Sequence, residues 1–375
     1  MKVPRFLALG LCGIGSILVL AQNNGNAITP KTGPGAAEVL LNSKAPVEGS
    51  GTVSVSNPLD SPGGRALTAM VEKKIVPGEV WKDTNGRPIQ AHGGGILKSG
   101  AYWYWFGEDR TQGLDKSKRY VSCYRSKDLL QWETKGRVLQ LAEPEEYKKQ
   151  FGTIWQAERP KVFRIAANKF VMYLHLDAAY KAAEVGVAVS DRPDGEYRLI
   201  RHFRPLGKES RDIGQFVDDD GTNYLIFESR PSGGFYLAKL NADGMDVTQT
   251  AFLHAPLEGG AIVRYDGLYY VVGSHLTGWN PNPNVYATAS TLSGPWTEFK
   301  DMAPTETNTY GSQSSTLVRV KGKQKTTVIY VGDVWKPDSL WDSRYVWMPL
   351  EIGAGKLVLP KPRAWTIDVL SGGVK

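Results

Sequence analysis

Residues 258–279 read EGGAIVRYDGLYYVVGSHLTGW. A carboxylate and two glycines lead into a short apolar run. A Tyr-Asp-Gly turn follows, and then a second run rich in aromatics. Asp-Gly between two apolar runs is a hairpin signal. A strand of this composition belongs in a core, yet it opens with an unpaired acid. The same order recurs in HGGGILKSGAYWYWFGE from His92, ERPKVFRIAANKFVMYLHL from Glu158, RDIGQFVDDDGTNYLIFES from Arg211 and SQSSTLVRVKGKQKTTVIYVGDVW from Ser312. The starts are 66, 53, 47 and 54 residues apart.

Each copy continues into a third strand and a polar or Trp-containing fourth, as in YVSCYRSKDLLQWE from Tyr120 and VYATASTLSGPWTEF from Val285. Units of this length with about four antiparallel strands predict an all-β, five-bladed β-propeller. A β-helix would repeat at a much shorter period, and a sandwich would not repeat this unit five times. In a propeller the innermost strands line a central channel, so their starts converge on one funnel. Those starts hold His92, Glu158, Asp212, Glu258 and Gln313, three of them carboxylates. Gathering buried carboxylates is costly, and a structural protein would avoid it. Paired carboxylates suit glycoside hydrolysis, where one donates a proton to the leaving oxygen and the other activates water. Thr277, Trp279, Trp155 and Trp335 lie just beyond these strands, where aromatic rings suit the apolar faces of sugars.

The rest of the 375-residue chain agrees with this class. It is 41% hydrophobic and holds 41 glycines and 22 prolines, which favours many short strands joined by turns. Lys2 and Arg5 precede an uncharged run from Phe6 to Ala21, and residues 1–27 read as a signal peptide. Residues 28–65, rich in Gly, Pro, Ser and Asn, read as a linker or extended arm, and 66–375 as the propeller domain. The expected location is secreted or periplasmic, free of the membrane once the signal is cleaved. Cleavage leaves Cys123 alone, so no internal disulfide forms and the thiol is expected to be inert and buried. The net charge of +7 is spread without a basic stripe, which argues against nucleic acid as a partner. With five histidines and no HExxH or CxxC spacing, no zinc site is expected. Asp218-Asp-Asp-Gly221 lacks the later Glu of an EF-hand and reads as a hairpin turn. Gly93-Gly-Gly95 lacks the Lys-Ser/Thr of a phosphate loop and marks a close backbone approach.

Several stretches, one per blade and in order, resemble glycoside hydrolase family 43: QAHGGGIL with YWFGE, AERPKV, SRD with FVDDDGT, LEGGAIVR with SHLTGWNPNP, and YGSQSSTLV. They are most similar to the branch holding exo-β-1,3-galactanases, over roughly residues 80–370. The resemblance implies a five-bladed propeller and an inverting mechanism. It places Glu258 as general acid and Asp212 as the aspartate that tunes it. Most of the family has a base aspartate in the first blade. Here that region reads Gln90-Ala-His92, as in the galactanase-like branch, where a glutamine matched by Gln313 is proposed to position the attacking water. Glu158 matches a substrate-contacting carboxylate and is the reserve candidate for base. Glu108 matches a further sugar-binding carboxylate. His92, Tyr180, Thr277, Trp279 and Trp335 complete the expected substrate-binding set.

The expected partner is a polysaccharide or oligosaccharide, β-1,3-galactan on the resemblance, and the expected oligomeric state is a monomer. No cofactor is expected; a structural calcium occurs in parts of the family, and no ligand set for it can be placed here. An α-L-arabinofuranosidase or β-xylosidase, and a catalytically silent sugar-binding propeller, remain the alternatives.

Overall fold

The structure is a computed structural model that describes residues 73–152 and 154–375. The predicted signal peptide (1–27) and arm (28–65) lie outside the described residues. Five antiparallel sheets follow one another along the chain. The first holds β1 (His92–Ser99), β2 (Tyr102–Glu108), β3 (Lys118–Ser126) and β4 (Glu133–Ala142). A short helix, α1 (Glu145–Phe151), leads to β5 (Trp155–Ala166), β6 (Lys169–Ala178), β7 (Glu184–Ser190) and β8 (Arg198–Phe203). The third sheet holds β9 (Ile213–Val217), β10 (Asn223–Ser229), β11 (Gly234–Leu240) and β12 (Val247–His254). The fourth holds β13 (Leu257–Tyr265), β14 (Leu268–His275), β15 (Val285–Ala289) and β16 (Lys300–Asp301). The fifth holds β17 (Gln313–Lys321), β18 (Thr326–Val334) and β19 (Arg344–Pro349).

The first strands β1, β5, β9, β13 and β17 each neighbour the next, and β17 returns to β1, so the sheets form the blades of a closed five-bladed propeller. Inner strands covered on both faces read as nearly continuous apolar runs, as in β13, buried from Leu257 to Val263. Outer strands are half exposed, as in β4. The fifth blade has three strands where four were expected. The chain after β19 is used elsewhere: Leu359 N–H bonds to Met302 O of the fourth blade, and Trp365 pairs with Ile75. That pairing joins the two ends of the described chain. Behind it Trp81 packs against Trp105, Tyr345 and Trp347. Such aromatic pairs contribute about 1 kcal/mol each beyond their buried area.

Two glycines set the close approach near the axis. A Cβ on Gly94 would lie 2.1 Å from Phe106 O, and one on Gly107 would lie 2.0 Å from the carbonyl carbon of Ala91. Asp218 to Gly221 forms the turn between β9 and β10, with Asp219 paired to Arg319 and Lys321. Cys123 is buried, and burial pushes its thiol well up, so it is an inert core residue.

Candidate active site

Four of the five inner strands, all but β9, carry one irregularity in common. Their pairing slips between His92 and Gly95, Glu158 and Lys161, Glu258 and Ala261, and Ser314 and Thr316. An extra residue at these points kinks the strand and re-aims the side chain before it. Three of the inserted residues have positive φ: Gly93 at 57°, Gly259 at 64° and Arg159 at 52°. Glycine takes this conformation freely. Arg159 does not, and it persists because its side chain is held on three sides.

Arg159 is the hub. Its Nε lies 2.9 Å from Asp212 Oδ2, its Nη2 donates to Gln313 Oε1 at 2.5 Å, and its Nη1 donates to Ser314 O at 3.1 Å. Its backbone N–H donates to Glu108 Oε1 at 3.0 Å. One cation thereby joins the starts of several blades. Asp212 also accepts Gly259 N–H at 3.0 Å, which ties it to the residue after Glu258.

Gln313 uses its whole amide on the protein. Its Oε1 accepts from Arg159 and, at 3.0 Å, from Trp335 Nε1. Its Nε2 donates to Glu258 Oε1 and to Ser274 Oγ, both at 3.0 Å. Two lone pairs and two protons are then all engaged.

Glu258 receives the Gln313 amide on Oε1 and faces Arg230 Nη2 at 3.2 Å on Oε2. Burial pushes its carboxyl up to about 8, helped by the negative charges of Asp212 and Glu228 and opposed by Arg159 and Arg230. It therefore carries its proton at neutral pH. Glu158 goes the other way. Burial would raise it, but His175, Arg110 and Arg159 outweigh burial and hold it below the usual range. His175 Nδ1 stands 3.5 Å from Glu158 Oε2, and its Nε2 lies 3.3 Å from Asp177 Oδ2. These two acids overcome the imidazole's own burial and lift it to about 9. Glu108 is buried and raised, chiefly by burial, with Arg110 paired to it.

A cavity of about 280 Å³ is lined by Glu108, Glu158, Asp212, Glu258 and Gln313, by Arg159, Arg211, Arg230 and His175, and by Tyr180, Gly278, Trp279 and Trp335. Tyr180 and Trp279 are half exposed at its rim, and Trp279 meets Trp335 edge-on at 5.5 Å. A larger cavity of about 660 Å³ beside Trp81, Gln90 and Trp341 contains none of the five strand-start residues. Chemistry rather than volume therefore identifies the site.

Two expected substrate contacts do not reach this cavity. His92 is fully buried, hydrogen-bonded to Asp333 and stacked on Tyr345. Thr277 is turned into its own loop, donating to Asn280 O and accepting from Asn282. Trp155 is also core, with Arg119 over its ring. Conversely, Arg159, His175, Arg211 and Arg230 line the cavity, and Glu228 pairs with Arg230 outside that lining; none of them is among the site residues expected from the sequence. Arg159 and Arg211 stand directly beside singled-out acids, in Glu-Arg and Arg-Asp pairs, and that was the available signal. Oxygens of Asp212, Glu228 and Glu258 lie within 4.8 Å of one another. Arg159 and Arg230 pair with these oxygens and supply opposing charge there.

The described residues resemble known proteins along most of their length. The family model for glycosyl hydrolases family 43 matches residues 95–335. An exo-β-1,3-galactanase of Phanerochaete chrysosporium, solved with β-1,3-galactotriose, aligns with a TM-score of 0.73 at 38% identity, over 81% of this chain and 70% of that one. An exo-β-1,3-galactanase of Clostridium thermocellum gives 0.72 at 36%, over 81% and 68%. A β-D-galactofuranosidase of Aspergillus niger is 26% identical over 220 residues, 53% of this chain and 61% of that protein. The match thus spans less than two thirds of that curated relative.

Proposed function

The chain belongs to glycosyl hydrolases family 43, and on that footing we propose that it is an exo-acting glycoside hydrolase that removes galactose from the end of β-1,3-linked galactan. The observation that carries this reading is Glu258: a buried carboxyl pushed up to about 8, held in place by Gln313, and facing a cavity walled by carboxylates and aromatics. A cavity of about 280 Å³ is at the small end for ligand sites and suits one terminal sugar better than the middle of a chain. Trp279 and Tyr180 at the rim suit the next sugar, stacking on its apolar face.

In the proposed reaction Glu258 gives its proton to the glycosidic oxygen as the C1–O bond breaks. A water enters from the opposite face of the ring, which inverts the anomeric centre, and its proton passes to a carboxylate. We assign that second role to Glu158, which His175 and its arginine neighbours keep ionised. Gln313 has no free lone pair with which to hold the water. An imidic form would also turn an O–H toward the donors of Arg159 and Trp335. Its role in this reading is to fix Glu258. Residues 1–27 would direct the enzyme out of the cytoplasm, to the secreted or periplasmic space where such polymers are met.

Incubation with β-1,3-galactan, arabinan and xylan tests the reading. Galactose released from galactan alone is expected. Arabinose or xylose release would move the chain to another activity of the family, and binding without release would make it a silent sugar-binding propeller.

A further inference from the structure

Glu228 lies near the end of β10, behind the wall of the cavity, and is 2% exposed. Its backbone N–H bonds to Asp212 O, and its carbonyl accepts from Arg211 N–H, so its position is set by the sheet. One carboxylate oxygen accepts Arg230 Nε at 2.8 Å. The other meets no donor among the described residues. Arg230 is therefore divided, with its Nε on Glu228 and its Nη2 on Glu258 at 3.2 Å. A guanidinium presents two parallel N–H groups that match a carboxylate as a fork, and this is its strongest pairing. An undivided Arg230 beside Glu258 would form that fork and hold Glu258 as a carboxylate, which cannot donate a proton.

From this we infer that Glu228 is a positioning residue: by occupying the Nε edge of Arg230 it keeps the guanidinium from closing as a two-pronged clamp on Glu258, and so leaves the acid its proton. The inference rests on the proposed role of Glu258 as acid. The charged groups facing Glu258 are Asp212, Arg159, Glu228 and Arg230, and those facing Glu228 are Asp212, Arg230, His175 and Glu258 itself. Burial and Asp212 hold Glu228 above the usual carboxylate range, against Arg230 and His175. Glu228 is absent from the lining of the cavity, so its effect on turnover must pass through a neighbour.

The test is the pH dependence of kcat/KM for Glu228→Ala, Arg230→Ala and the double variant, on β-1,3-galactobiose and on 2,4-dinitrophenyl β-galactoside. The second substrate leaves without protonation. Glu228→Ala is expected to move the alkaline limb to lower pH by about two units and so to lose about tenfold on galactobiose at pH 7, with far less loss on the dinitrophenyl substrate. In the Arg230→Ala background the same substitution should move the limb much less, by only the part owed to the Glu228 charge acting directly on Glu258. Glu228→Gln keeps a neutral acceptor for Nε and should shift the limb partway; it also serves if Glu228→Ala does not fold. An unmoved limb, or an equal shift with and without Arg230, overturns the inference, the latter by showing that Glu228 acts through its own charge. Glu258→Gln is run in parallel. If it retains activity on galactobiose, the acid assignment itself fails. If it is inactive while the Glu228 variants leave the limb in place, only the inference about Glu228 fails.

Discussion

Gln313 Nε2 donates to Glu258 Oε1 across 3.0 Å, and so joins the first strand of the fifth blade to the first strand of the fourth. The same amide is pinned from behind by Arg159 and Trp335. The carboxyl of Glu258 therefore has one edge fixed by an amide that is itself held by Arg159 of the second blade and Trp335 of its own.

Gln313→Ala should lower kcat on β-1,3-galactan by about 10²-fold, within the usual worth of a general acid, by letting Glu258 wander. A dinitrophenyl β-galactoside, which needs no proton, should lose little. Equal loss on both substrates would show instead that Gln313 handles the water.

The alkaline limb of kcat/KM should fall near pH 8, where Glu258 gives up its proton. The sign for stability follows. Its folded value lies above the unfolded one, so ionisation opposes folding. The penalty is absent near pH 4 and grows as pH rises toward 8, by at most about 1.4 kcal/mol for each pH unit. Glu258→Gln should thus gain in Tm over the wild type as pH rises from 5 to 8, while losing about 10³-fold in activity. A constant difference in Tm across that range would count against a protonated Glu258.

Glu158→Gln should lose activity on all leaving groups, because water activation is needed for each. Azide needs no base, and should restore turnover with formation of α-galactosyl azide. Rescue in Gln313→Ala but not in Glu158→Gln would exchange the two roles.

His175 is lifted to about 9 by Asp177 and Glu158 against its own burial. Its folded value is above the unfolded one of about 6.5, so the stabilisation is complete below that pH and fades as pH rises through about 9. Its ceiling is about 3 kcal/mol, the free energy of a proton held that much more tightly in the folded state. His175→Gln should therefore be clearly less stable at pH 6 by denaturant unfolding, with the gap narrowing from about pH 6.5 to 9 and nearly closed above. A gap that widens with pH would contradict the buried ion pair.

Much of the architecture was legible because the repeat is carried by strand patterning. EGGAIVRYDGLYYVV alone shows two strands and a turn, and its phase locates Glu258. Phase did not say where each first side chain points. His92 and Glu258 begin equivalent strands with the same slip in pairing, yet His92 is turned into a buried bond with Asp333, 241 residues away, and Glu258 into the cavity. The arginines were hidden for a related reason. Arg159 stands beside Glu158 in sequence, but its function comes from Asp212, Gln313 and Ser314, which only ring closure brings together. Glu228 and Arg230 sit at the end of a second strand, outside the repeated first-strand starts that mark the other acids.

The most direct test is proton NMR of the sugar first released from β-1,3-galactan by the wild type and by Glu258→Gln. The account predicts galactose appearing first as the α-anomer, before mutarotation, and release by Glu258→Gln slowed about 10³-fold. Galactose appearing first as the β-anomer, or undiminished release by Glu258→Gln, would contradict it.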